Sequence, residues 1–238
     1  MRRPIRVSST GLALAAAAAV TSAPQALAAQ EMDNAVFHYS RLAVDASSTP
    51  GANVGRVRAG GWVGTDFDRL WWSAAGERAD GLFDDVRLTA LYGHYVRTFW
   101  DLVVGFRQDV EPIQQSYVTF GIQGLAPYWF EVSLLASVSD RGRPSLRFEA
   151  STDLYLTQQL VLEPSGEIDL LFARDDEWQV GRGLRSLELG ARLRYEVQRK
   201  LAPYVDLTWV REKEANPPAY VTPETDGLRL GVGVRLAY

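Results

Sequence analysis

Apolar and polar residues alternate along most of the chain after residue 28. Apolar residues occupy every second position from Leu187 to Val197, and the residues between them are charged or small. The same alternation recurs in LRFEASTDLYL (146–156) and LRLGVGVRLAY (228–238). Successive side chains of a strand point to opposite faces, so this period of two predicts β-strands with one oily and one polar face.

The alternating segments predict about twelve strands, an even number as bacterial outer-membrane barrels require. No segment after residue 28 offers a helix-length apolar run or a sustained helical spacing. Many of the predicted strands have about ten residues, which is longer than most strands of soluble sheets. The predicted strands are 35–44, 55–64, 69–77, 83–95, 100–109, 115–124, 129–138, 145–156, 159–173, 184–198, 203–211 and 227–238.

Two architectures bury one face of such strands: a soluble sandwich or barrel with its oily face inward, and a membrane barrel with its oily face outward. The connections favour the membrane barrel. Counted from a periplasmic amino terminus, short turns at 97–99, 125–128 and 157–158 fall on one side, and the longer polar segments 174–183 and 212–226 fall on the other. Membrane barrels show this asymmetry. The sequence therefore predicts an all-β, transmembrane, antiparallel up-and-down β-barrel.

Aromatic residues near the predicted strand ends fit the girdles that anchor membrane barrels at the two interfaces. The alternative for the tryptophans is that they are ordinary core residues. The predicted interface aromatics are Trp62, Trp71, Trp72, Trp100, Tyr128, Trp129, Trp209 and Tyr238.

The amino terminus has the pattern of an export signal. MRRPIR supplies the positive region, GLALAAAAAV the apolar stretch, and ALA at 26–28 a small-residue cleavage site. A membrane-spanning anchor is the alternative, but the apolar stretch is shorter than the roughly 20 residues that a bilayer needs. We predict a signal peptide (1–28), a short segment (29–34) and a barrel (35–238) in the outer membrane of a Gram-negative bacterium, in contact with its lipid.

Composition excludes several kinds of partner and site. The formal charge is −4, and removal of the signal takes away arginines but no acid, so a nucleic-acid partner is not expected. The chain has no cysteine. It therefore has no disulfide and no thiolate metal site.

Charged residues on the polar parity are predicted to face the barrel interior. They have two candidate roles, which can coexist: a mutually neutralising ladder that packs the lumen, and a hydrated path in which carboxylates hold a cation transiently. The predicted lumen charges are Asp101, Arg107, Glu131, Arg147, Glu149, Asp153, Glu163, Glu167, Asp169, Glu188, Arg192, Arg194, Arg229 and Arg235.

Four stretches resemble the copper resistance protein B family of bacterial outer-membrane proteins: GGWVGTDFDRLWW (60–72), GIQGLAPYWFE (121–131), DLYLTQQLVLEP (153–164) and GLRSLELGARLRYEVQRKLAPYVDLTWVR (183–211). The resemblance implies an outer-membrane barrel that binds copper ions or controls their passage across the membrane. It also implies a periplasmic multicopper oxidase as a companion. The oxidation state of the copper is left open.

The metal donors depart from the family pattern, in which a methionine- and histidine-rich segment precedes the barrel. Here only AQEMDN (29–34) lies between the predicted signal and the first strand. Met32 and His38 are the remaining candidates for a soft donor and an imidazole donor, although copper usually takes three or four ligands. The alternatives are a linker residue for Met32 and a boundary histidine for His38. His94 falls on the oily parity and is predicted to be an interfacial side chain.

Two other functions compete with the copper hypothesis. A serine hydrolase needs a histidine beside a nucleophilic serine, and the neighbourhoods of His38 and His94 lack the required motif, so we expect no enzyme. A general porin usually has sixteen or more strands, so about twelve strands predict a narrower lumen and favour selective or gated passage.

Overall fold

The computed structural model describes residues 35–49, 52–79, 82–111, 114–174, 181–212 and 227–238. These ranges are almost entirely β-sheet. The strands are β1 (Phe37–Thr49), β2 (Ala52–Gly64), β3 (Asp68–Ala79), β4 (Leu82–Arg97), β5 (Trp100–Glu111), β6 (Gln115–Ala126), β7 (Phe130–Ser139), β8 (Pro144–Ser151), β9 (Leu154–Tyr155), β10 (Leu160–Leu171), β11 (Gly183–Tyr195), β12 (Leu201–Glu212) and β13 (Gly227–Ala237). Among the described residues, no helix reaches the length and apolar character needed to cross a membrane.

The sheet closes on itself. Except for β8 and β9, which both pair with β10, each strand pairs antiparallel with its neighbours in the chain, and β1 pairs with β13, with Arg41 opposite Ala237. At the seam, the Ser40 N–H donates to the Tyr238 carbonyl at 2.9 Å, and the Tyr238 N–H donates to the Ser40 carbonyl at 2.8 Å. The closure satisfies the backbone groups of both terminal strands, as a bilayer requires.

The short strand β9 continues the line of β8. Both pair with β10 in one unbroken register, in which Ser165 faces Ser151 and Val161 faces Tyr155. Counted around the ring, the thirteen segments therefore form a closed barrel of twelve strands. The predicted antiparallel up-and-down barrel is confirmed.

The two faces of the wall differ in chemistry. On β5, Leu102, Val104 and Phe106 point outward and are 51–69% exposed, with Leu102 at 52%. On either side of this stretch, Asp101 and Arg107 point inward and are buried. The other strands follow the same alternation, so the apolar band faces lipid and the polar residues fill the interior.

The two ends of the barrel differ in their connections. One end contains Phe37, Tyr238 and the short connections 65–67, 98–99, 127–129, 156–159 and 196–200. At the opposite end, β10 and β12 end and β11 and β13 begin, so the two longer connections, 172–182 and 213–226, join strand ends there. Because short turns face the periplasm in outer-membrane barrels, we call the first end periplasmic and the second end outer.

The predicted strands match the observed ones closely, apart from the first two strands, the predicted strand 145–156 and the predicted strand 184–198, which ends at Tyr195. The first two strands extend further toward the outer end than the predicted 35–44 and 55–64. The predicted strand 145–156 is interrupted at Thr152 and Asp153. There the Thr152 hydroxyl donates to the Trp129 carbonyl at 3.2 Å, and the Asp153 carboxylate accepts from Arg194.

Candidate functional site in the barrel interior

A buried carboxylate, Asp45, joins three strands inside the barrel. Its side chain is fully enclosed and accepts hydrogen bonds from Arg56 Nε at 3.0 Å, Arg58 Nη2 at 3.1 Å and the Tyr204 hydroxyl at 2.9 Å. Gly233 on the neighbouring strand leaves the room for this cluster, because a Cβ there would lie 2.5 Å from Tyr204 Cζ. The cluster ties β1, β2 and β12 together.

A second cluster continues from Tyr204 toward the periplasmic end. The guanidinium of Arg192 lies 4.6 Å above the Tyr204 ring, and its Nη1 donates to Glu163 at 3.2 Å. Arg194 donates to Glu163 at 2.7 Å and also pairs with Asp153. Because each arginine has an acid partner, the charges here largely cancel.

Further toward the outer end of β10, a similar arrangement surrounds Arg147. Its Nη2 donates to Asp169 at 2.7 Å, and its Nη1 lies 3.1 Å from Glu167 and 3.8 Å from Glu149. Glu149 and Glu188 sit directly across from Glu167 on the two neighbouring strands. Three glutamates therefore form one row on the inner surface.

The remaining predicted lumen charges also lie inside the barrel, and most of them are close to a residue of opposite charge. Asp101 is 3.5 Å from Arg69, Arg107 is 3.3 Å from Asp109, Arg229 is 3.5 Å from Glu77 and Arg235 is 3.3 Å from Glu196. Glu131, near the periplasmic mouth, forms no ion pair with another described residue.

The interior is filled toward its outer half. Gln115 and Thr119 are each 1% exposed and Asp169 is 2% exposed, although all three are polar and face the lumen. Arg107 lies 3.7 Å above the ring of Tyr117 in the same layer. Side chains of the described residues therefore occupy the outer half of the lumen.

The periplasmic half contains a cavity of about 460 Å³. Its charged lining residues are Arg41, Glu131, Asp153, Glu163, Arg194 and Arg235, and its aromatic ones are Tyr39, Trp129 and Tyr155. Glu131, Asp153 and Tyr155 are exposed, so the cavity opens toward the periplasm.

The structure corrects the predicted position of two interface aromatics, Trp62 and Trp71. They face each other across β2 and β3 with ring centroids 6.0 Å apart, and the Arg69 guanidinium lies 4.9 Å above Trp62. Trp62 shares its parity with the inward-pointing Arg58, so both indoles lie inside the barrel near its periplasmic end. A strand-end position alone did not distinguish the two faces.

The other predicted interface aromatics lie on the outer surface or at the ends. Trp72, Trp100 and Trp209 have the outward parity of their strands. Tyr128 and Trp129 are 87% and 70% exposed in the turn 127–129, and Tyr238 is 73% exposed. Their role at the membrane interface stays a prediction.

Two neighbouring periplasmic turns hold bulky aromatic residues in the left-handed backbone region. Phe99 has a φ of 69°, Tyr128 of 66° and Trp129 of 63°. The Leu125 N–H donates to the Phe99 carbonyl at 2.9 Å, which links the two turns. Such a backbone is unfavourable for bulky side chains and persists only where its surroundings enforce it.

The candidate metal donors do not come together. Met32 lies outside the described residues. His38 points outward and stacks on Tyr238 with ring centroids 6.0 Å apart. His94 also points outward, and its Nδ1 lies 2.8 Å from the Asp68 carboxylate, which accepts the Tyr92 hydroxyl as well. No group of three or more His, Cys, Asp or Glu suited to a metal ion occurs among the described residues.

Sequence reasoning missed several interior charges. They share the inward parity of their strands, which is the signal that could have found them. They are Arg41, Asp45, Arg56, Arg58, Arg69, Glu77, Arg87, Asp109 and Asp206.

Solved structures of porins have a similar fold. The NanC porin superposes with a TM-score of 0.58 at 11% identity and covers 83% of this chain and 98% of its own. The KdgM porin superposes with a TM-score of 0.54 at 13% identity and covers 83% and 99%. The closed barrel and its polar interior define an outer-membrane β-barrel protein of a Gram-negative bacterium, as predicted.

The sequence comparisons identify the family. A family model described as copper resistance protein B precursor matches residues 43–238. A copper resistance protein B homolog of Pseudomonas syringae pv. tomato is 38% identical over 213 residues, covering 87% of this chain and 72% of the relative. Copper resistance protein B of Escherichia coli is 42% identical over 149 residues, covering 62% and 50%.

The chain belongs to the copper resistance protein B family. Membership of this family indicates a non-enzymatic outer-membrane protein.

Proposed function

We propose that this barrel acts in copper resistance by binding copper ions or controlling their passage across the outer membrane. The observation that carries the proposal is family membership over residues 43–238. In this proposal copper is the cargo of the barrel. A periplasmic multicopper oxidase is the companion we propose for it.

The filled interior supports controlled passage of copper ions rather than their free diffusion through the lumen. Side chains such as Gln115 and Thr119 fill the outer half of the lumen, so passage of a hydrated ion requires them to move. At the periplasmic end, carboxylates line an open cavity. Oxygen ligands suit a hard or borderline cation, and we propose that they hold a cupric ion transiently.

Met32 and His38 are proposed as additional donors. A thioether suits a cuprous ion and an imidazole suits a cupric one. His38 lies on the outer surface at the periplasmic end, against Tyr238, so a contribution from it places copper at the rim of the barrel.

The test is copper sensitivity and cell-associated copper in a deletion strain, with and without the restored gene. We expect the deletion to change both quantities and the restored gene to reverse the change. The purified, folded protein should also bind copper in equilibrium dialysis. If neither cellular quantity changes and the purified protein binds no copper, the proposal is wrong.

The porin-like fold favours a second candidate, a narrow channel without copper specificity. Conductance in planar bilayers separates the two candidates. Large, unselective currents through the wild-type protein would support the general channel, whereas small currents that respond to copper would support controlled passage.

A further inference from the structure

Charges of both signs line the periplasmic cavity, and most of them are already paired. Arg194 binds Asp153 and Glu163, with 2.7 Å from its Nη1 to Glu163. Arg235 Nη2 lies 3.3 Å from Glu196. Arg194 and Arg235 are therefore each already engaged by an acid.

Two lining charges, Arg41 and Glu131, remain without such a partner. Neither forms a side-chain hydrogen bond or an ion pair with another described residue, and both are exposed to the cavity. Arg41 is on β1 and Glu131 is on β7, which lie opposite each other in the ring of strands. Among the described residues, the cavity lining therefore has a cation on one side and an anion on the other that have no ion-pair partner.

This arrangement selects a ligand with two charges. A simple anion is attracted by Arg41 but repelled by Glu131. A simple cation is attracted by Glu131 but repelled by Arg41. A molecule with a carboxylate at one point and an ammonium at another satisfies both groups, since charge-assisted hydrogen bonds are the stronger ones.

The aromatic side chains add a third requirement. Tyr39, Trp129 and Tyr155 line the same cavity and offer apolar surface beside the two charges. The volume of about 460 Å³ lies within the range of small-molecule sites. An amino acid with an apolar or aromatic side chain matches the charges, the surface and the size.

We infer that the periplasmic cavity binds a small zwitterion of the α-amino-acid class, with its carboxylate at Arg41 and its ammonium at Glu131. This site goes beyond the proposed role in copper resistance and does not depend on it, because no metal takes part in the binding.

Calorimetric titration of the full-length folded protein in lipid nanodiscs tests the inference, with empty nanodiscs as the blank. The probes are L-phenylalanine, 3-phenylpropionate, which lacks the ammonium, and phenethylamine, which lacks the carboxylate. We expect L-phenylalanine to bind at least about tenfold more tightly than either analogue, because each analogue leaves one protein charge unsatisfied.

Variants test the two assigned groups. Arg41→Gln and Glu131→Gln should each reduce the affinity for L-phenylalanine about tenfold or more. The double variant, with Arg41→Glu and Glu131→Arg, again has one charge of each sign in the cavity. It should therefore recover binding, with the carboxylate and ammonium of the ligand in exchanged positions. Arg199→Gln, which removes an exposed charge from the connection 196–200 at the same end and outside the cavity lining, is the matched control and should leave the affinity unchanged.

Folding of every variant is checked by its heat-dependent shift on a detergent gel. Failure of the folded wild-type protein to bind L-phenylalanine overturns the inference. Equal binding of the three probes overturns it as well, as does a charge exchange that folds but binds no better than the single variants. The copper experiments above can succeed or fail independently of these results.

Discussion

Asp45 and Glu131 are carboxylates on the inner wall of the same barrel, but their surroundings differ. Asp45 is fully enclosed and accepts three side-chain hydrogen bonds, whereas Glu131 is exposed at the periplasmic mouth with no such bond among the described residues. A buried charge must be paired to be tolerated, while an exposed one is already solvated. The comparison indicates that Asp45 helps to hold the barrel together, whereas Glu131 is available to bind a solute at the periplasmic mouth.

The largest effect is expected from Asp45→Ala. The substitution leaves Arg56 and Arg58 without their buried carboxylate, and loss of one partner of a buried ion pair costs about 3–5 kcal/mol. Urea unfolding of the refolded protein in lipid vesicles, followed by tryptophan fluorescence, measures the change in the free energy of unfolding. A loss below about 1 kcal/mol, as is typical of exposed ion pairs, would contradict the contrast between the two halves.

Gly233→Ala should have the next largest effect. Its Cβ would lie 2.5 Å from Tyr204 Cζ and 2.6 Å from the Val44 carbonyl oxygen, so the cluster around Asp45 must shift. We expect a loss of about 1–3 kcal/mol in the same unfolding experiment. Gly55→Ala is the matched control, because nothing lies within 4 Å of its added Cβ. An equal loss in both variants would show that the crowding at Gly233 is not the cause.

Tyr204→Phe removes only one of the hydrogen bonds to Asp45, the one from the hydroxyl at 2.9 Å. The two arginines still neutralise the carboxylate, so we expect a loss of about 1 kcal/mol. In a double-mutant cycle with Asp45→Ala, the effect of Tyr204→Phe should disappear, since the hydroxyl then has no acceptor. Additive effects would mean that Tyr204 acts through packing alone.

The smallest effect is expected from Glu131→Ala. Because the side chain is exposed and unpaired within the described structure, its removal should change the free energy of unfolding by less than about 0.5 kcal/mol. The same variant should lose affinity for the zwitterionic probe. A large loss of stability would show that Glu131 belongs to the structural network.

Most of the fold could be predicted from the sequence because the alternation is a local signal. The parity of Leu187 to Val197 locates a strand and orients both of its faces without any knowledge of its neighbours. The turn around Pro127 is equally local, since proline cannot donate to a strand ladder. Interruptions such as the one at Thr152 depend on contacts with other strands and were not foreseen.

The interior was harder to predict because its contacts join distant parts of the chain. Asp45 and Tyr204 form a hydrogen bond at 2.9 Å although 159 residues separate them. Parity indicates that each points inward, but only the register around the closed ring brings them together. Trp62 shows a different failure: the prediction used its position near a strand end, which suggested the membrane interface, and did not use the parity that it shares with Arg58.

The reciprocal hydrogen bonds between Ser40 and Tyr238 have a consequence for biogenesis. The ring closes between its first and last strands, so eleven inserted strands still present two open edges to the lipid. Unpaired backbone groups in a bilayer cost several kcal/mol each. Closure is therefore a late and cooperative event, and a β13 that cannot pair with β1 should leave a protein that stalls on the membrane-insertion machinery or is degraded.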